Sequence, residues 1–98
     1  MQEINREKLM ELLKERDSLG LNDDINIKKV CDKMLYCCGD NEKDIVDFIS
    51  TLDLNDLMTM SEIFEDISIK LNKSKTFKEA LEEITKPYPD VDFSLQYC

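Results

Sequence analysis

Histidine is absent from these 98 residues. Without it the chain can build neither a Ser-His-Asp nor a Cys-His catalytic arrangement, and it lacks the usual ligand of zinc enzymes. Glycine is almost absent as well. Gly20 and Gly39 are the two present, too few for a glycine-rich phosphate loop. Proline also occurs twice, and scarcity of both residues argues against the many turns of a β-sandwich or barrel. No window approaches the roughly 18 consecutive apolar residues of a membrane-spanning helix. Met1 to Lys8 are polar, with no apolar centre of the kind a signal peptide carries, so a cytoplasmic protein is expected.

What is present describes a folded helical chain. Hydrophobic residues make up 42% and charged residues 36%, which is too apolar for a disordered segment. The length suits a single domain, residues 1–98, large enough to bury a core without disulfides or a metal. Leu, Glu, Lys, Ile and Met dominate, and all favour or tolerate helix. The four cysteines, Cys31, Cys37, Cys38 and Cys98, fit neither a zinc spacing nor a secreted disulfide framework, so free thiols are expected. Cys37 and Cys38 are adjacent and cannot easily both face a core. No metal or cofactor is expected. Asp40, Glu42 and Asp44 lack the central glycine and distal glutamate of an EF-hand loop. Carboxylates alone could do acid–base work, but nothing marks a buried pair, and the expectation is a binding protein and not an enzyme.

The expected fold is all-α: a compact bundle of about five helices with an extended C-terminal arm. The first helix runs from about Glu3 to Ser18, with Ile4, Leu9, Leu12 and Leu13, and with them Met10, facing inward. Gly20 stops it. Asp23 or Asp24 caps the second, which carries Ile27, Val30, Cys31, Met34 and Leu35 inward and ends at Gly39. The third runs from the Asp40–Asn41 turn to about Thr51, on Ile45, Phe48, Ile49 and Leu52. Asp53 caps the fourth, where Leu57, Met60, Phe64, Ile67 and Leu71 are spaced at helical intervals in one long stripe. Thr76 and Glu79 form a capping-box pattern for the fifth, which buries Phe77, Ala80, Leu81 and Ile84 and is ended by Pro87. In the tail, residues 86–98, Val91, Phe93, Leu95 and Tyr97 alternate with polar residues in a strand-like period. A lone strand cannot satisfy its hydrogen bonds, so the tail is expected either to cross the bundle as an arm or to pair with another chain.

The net charge of −9 is concentrated. Residues 40–66 hold nine acids (Asp40, Glu42, Asp44, Asp47, Asp53, Asp56, Glu62, Glu65 and Asp66) against one base, Lys43, for a net −8. The first helix, in contrast, interleaves both signs from Glu3 to Arg16. Two explanations compete. Acids favour helix N-termini through the macrodipole, which accounts for Asp40, Glu42, Asp44, Asp53 and Asp56. It does not account for Asp47, Glu62, Glu65 and Asp66, which lie further along their helices. The second explanation is an acidic surface that steers a basic partner. Either way the surface should repel nucleic acid and anionic membranes, which are held by Lys and Arg.

The run Leu57-Met58-Thr59-Met60-Ser61-Glu62-Ile63-Phe64-Glu65-Asp66-Ile67, then Phe77-Lys78-Glu79-Ala80-Leu81 and Tyr88-Pro89-Asp90-Val91-Asp92, resembles small bacterial immunity proteins. These are encoded beside toxins of contact-dependent growth inhibition and related polymorphic toxin systems. The resemblance covers roughly residues 50–93. It implies a cytoplasmic inhibitor, monomeric alone, that forms a heterodimer with a cognate toxin domain. Many such toxins are nucleases with basic surfaces, and an acidic inhibitor imitates the phosphate backbone. The residues expected to meet Lys and Arg of the toxin are Asp40, Glu42, Asp44, Asp47, Asp56, Glu62, Glu65 and Asp66. Tyr36 or Tyr88 is a candidate aromatic anchor, although ordinary half-burial is the favoured account of each tyrosine. Two alternatives stay open: an acidic nucleic-acid mimic that regulates a DNA-binding protein, and a structural or dimerising helical subunit.

Overall fold

A computed structural model describes residues 3–20, 22–93 and 95–98, with the backbone alone for Tyr97. Among these residues there are six α-helices and two short 3-10 turns, and no strand. In chain order they are α1 (Arg6–Ser18), α2 (Asp24–Cys37), α3 (Glu42–Ser50), α4 (Leu54–Met60), a 3-10 turn (Ser61–Ile63), α5 (Phe64–Lys70), α6 (Lys75–Thr85) and a second 3-10 turn (Leu95–Tyr97). Since α4, the first 3-10 turn and α5 follow one another without a break, the bundle has five helical arms. Its radius of gyration of 12.7 Å is close to the ~13 Å of a folded chain of 100 residues.

Side-chain caps set most of the helix starts. Asn5 accepts the Lys8 amide at 3.1 Å, Asn41 accepts the Asp44 amide at 3.1 Å, and Asp53 accepts the Asp56 amide at 2.9 Å. The first helix therefore begins at Arg6, after its Asn5 cap, and not at Glu3. Gly39 ends α2 with φ at 69°, a left-handed conformation open to a residue without Cβ. There the Asn5 amide reaches back to the Cys37 carbonyl at 2.8 Å, closing α1 and α2 into a hairpin.

The core is the set of stripes laid on one another. Leu9, Leu12 and Leu13 of α1, Val30 and Met34 of α2, Ile45, Phe48 and Ile49 of α3, Leu57 and Met60 of α4, Phe64 and Ile67 of α5, and Phe77 and Leu81 of α6 are buried. Met10 is not part of it and lies exposed. Cys38 is fully buried while its neighbour Cys37 is half-buried, and all four cysteines are free thiols.

Three further expectations need correction. The long fourth helix is interrupted by a 3-10 turn at Ser61, whose hydroxyl donates to the Met58 carbonyl at 2.5 Å. Such back-bonding competes with the regular ladder and bends a helix. The cap of α6 is Ser74, which accepts the Phe77 amide at 3.3 Å. Thr76 lies inside the helix and donates its hydroxyl to Glu42 instead. The tail does cross the bundle, with Phe93 buried and Val91, Leu95 and Cys98 against the core, but it closes in a 3-10 turn and not as a strand. The Ser68 hydroxyl fixes its end by donating to the Cys98 carbonyl at 3.1 Å. Ser94 and the Tyr97 side chain, two members of the expected alternation, lie outside the described residues.

Candidate partner-binding surface

The eight carboxylates singled out from the sequence do not share one face. Glu42 is spent within the molecule. Half-buried at the start of α3, it accepts the Ser74 and Thr76 hydroxyls and so ties α3 to the start of α6. Glu62 is also engaged: Arg16 of α1 holds it in a forked pair, Nε to Oε2 at 3.0 Å and a terminal guanidinium nitrogen to Oε1 at 3.0 Å. Asp44 is half-buried in the first turn of α3, and Asp40 is exposed in the preceding loop.

Asp56 belongs to a separate group, where α1 meets α4. Asp17 of α1 accepts the Asn55 amide nitrogen and the Thr59 hydroxyl, each at 2.8 Å, which pins the two helices together. That contact brings the Asp17 carboxylate near Asp56, whose other acidic neighbour is Asp53. Burial, followed by those two neighbouring charges, raises the Asp56 carboxyl above the ordinary aspartate range.

Asp47, Glu65 and Asp66 are exposed. Asp66 belongs to a third region, between α2 and α5. The Cys31 thiol lies there, its Sγ 4.0 Å from Glu62 Oε2. Its pKa is raised by burial first and then by Glu62, with Asp32 and Asp66 adding to the effect and Arg16 opposing it. Three acids therefore gather around the middle of α2. One turn further along, the two helices leave an open groove of about 590 Å³, lined by Asp32, Leu35, Tyr36, Asp66, Ile69 and Lys70. Tyr36 is 70% exposed and Ile69 54% exposed, whereas Tyr88 is half-buried against the core. Ordinary half-burial thus describes Tyr88 and not Tyr36.

Ile69 was overlooked in the sequence, although a signal was present: it falls off the Leu57-Met60-Phe64-Ile67-Leu71 stripe and so must point outward. Asp32 carried no signal, because it sits among the balanced charges of α2. Among the described residues, no three acids or cysteines converge as ligands for a metal ion, and no helix is long and apolar enough to cross a membrane. Comparison with protein-family models, curated proteins and solved structures gives no match for this chain.

Proposed function

We propose that this chain is an immunity protein: it binds a basic toxin domain encoded beside it, a nuclease, and neutralises it without chemistry of its own. The observation that carries the reading is the net −8 over residues 40–66, within which Asp47, Glu65 and Asp66 stay exposed. Capping accounts for Asp53 and internal bonds account for Glu42 and Glu62. Glu65 and Asp66 stand in the first turn of α5, where the macrodipole also favours acids, while Asp47 lies beyond the first turn of α3. Exposed charge of one sign raises the encounter rate with a partner of the opposite sign and repels phosphate. The resemblance of residues 50–93 to bacterial immunity proteins supplies the biological setting, in which the chain works in the cytoplasm as a monomer until the toxin arrives. The test is co-expression with the toxin domain of the adjacent open reading frame. Restored growth, together with a one-to-one complex by light scattering, is the expected result. Growth arrest with no complex would refute the reading.

A further inference from the structure

We propose that the α2/α5 groove receives a basic amphipathic segment of the toxin domain, with an apolar side chain seated on Tyr36 and Ile69 and an Arg or Lys lying over Asp32 and Asp66. The inference rests on the inhibitor reading and adds where the partner docks and what its docking segment carries.

Two contacts orient the groove. Cys31 faces Glu62, and the Lys70 ammonium donates to the Leu35 carbonyl at 3.1 Å. Residues 31 and 35 of α2 thus match residues 62 and 70 of the neighbouring arm in the same order, and the two walls run the same way. Each wall carries a carboxylate and then an outward side chain about one turn on: Asp32 with Tyr36 four residues later, and Asp66 with Ile69 three residues later. One end of the groove is therefore acidic and the other apolar.

Charge complementarity selects the occupant. Among the described residues that line the groove the one cation, Lys70, already serves the carbonyl end of α2. Lys28 approaches Asp32 at 3.9 Å, but both side chains are largely solvent-exposed, 80% and 68%, and such pairs are readily exchanged. A second copy of this chain would bring another net −9 to the same face and is repelled. Phosphate-bearing partners are repelled for the same reason. Isolated exposed apolar residues such as Ile25 need no partner, but Tyr36 and Ile69 are paired across one groove. Two carboxylates on facing walls, Asp32 and Asp66, offer a guanidinium charge-assisted hydrogen bonds.

Backbone-amide NMR of the full chain tests this with three synthetic probes: a helical peptide of leucine and arginine at amphipathic spacing, the same peptide with glutamate for arginine, and a leucine-free arginine–serine peptide. The leucine–arginine peptide is expected to shift Asp32, Tyr36, Asp66 and Ile69. Its affinity should fall by about fivefold or more in Tyr36→Ala/Ile69→Ser and in Asp32→Asn/Asp66→Asn, the size of loss seen at interface centres, while Glu7→Gln on α1 leaves it unchanged. The proposal is overturned by shifts confined to α3 and α4, by equal binding of the glutamate peptide or the arginine–serine peptide, or by groove shifts that follow protein concentration with no peptide, which would make the occupant a second copy. Its failure is separable from that of the inhibitor reading. If groove variants that retain their helical melt still protect against the toxin, the groove is wrong and inhibition stands. If the leucine–arginine peptide binds the groove but the chain gives no protection, inhibition is wrong.

Discussion

Phe64→Ala should remove a large part of this domain's stability. Phe64 is 1% exposed and is the first residue of α5, directly after the 3-10 turn that interrupts the fourth arm. Transferring a buried phenylalanine side chain to water costs about 1.5–3 kcal/mol. The cavity left behind raises the expected loss to ~3–5 kcal/mol. Its neighbours in sequence, Ile63 and Ile67, are also fully buried, so the cavity would open inside a packed layer with little freedom to collapse. A domain of this size has a total stability of about 5–15 kcal/mol. With a urea slope of about 1.5 kcal/mol per molar, the midpoint should fall by about 2–3 M. Far-UV circular dichroism during urea titration measures it, and the exposed Met58→Ala, at 47% exposure, serves as a control with a change of ~0.5 kcal/mol or less. A loss under about 1 kcal/mol for Phe64→Ala with an unchanged slope would show that the interrupted arm does not anchor the core.

Two further measurements probe the corrected details. Ser74→Ala should cost about 1 kcal/mol through the lost cap, lowering the melting temperature by about 4–8 °C; Thr76→Ala, which keeps the cap, should cost less, and the reverse order would make Thr76 the cap after all. Burial pushes the Cys38 thiol up to about 12 from an ordinary 9.0. The unfolded chain releases this proton first, so stability due to Cys38 is complete below about pH 9 and declines as pH rises toward about 12. The urea midpoints of the native chain and Cys38→Ala should therefore converge as pH rises through that window, and a constant separation would contradict the assignment.

The helices were legible because each carries its own stripe and stop. Leu9, Leu12 and Leu13 with Gly20 after them, or Ile45, Phe48 and Ile49 after Asn41, needed nothing from the rest of the chain. Legibility ended where a side chain had several places to bond. Ser61 bonds back to Met58 at a 3-10 turn in an arm that the apolar period alone would draw as one regular helix. Ser74 and Thr76 are both good caps by type, and Glu42, 32 and 34 residues away, takes a hydrogen bond from each. The candidate site followed the same pattern. The concentration of acids was visible, but not which of them are spent. Glu62 meets Arg16 across 46 residues, a pairing that no local pattern encodes. The groove joins Tyr36 and Ile69 from separate arms, and only the packing of α5 beside α2 brings them together.

Association of the chain with the toxin domain, followed by stopped-flow fluorescence at rising salt, tests the central claim most directly. Charge reversals at Asp47, Glu65 and Asp66 are the informative ones, because all three are exposed and such changes usually alter stability by less than about 0.5 kcal/mol. Glu62 is unsuitable, since reversing it would also break the Arg16 fork. The control reverses Glu7 and Glu11 on the mixed-charge α1, where Glu11 has an exposed partner in Lys8 at 3.6 Å. If the acidic segment steers docking, the association rate falls as salt shortens the field to about 8 Å at physiological ionic strength. The three reversals then slow association at low salt while the α1 pair does not. A salt-independent rate, or loss of binding with the α1 reversals and not with the other three, would contradict the account.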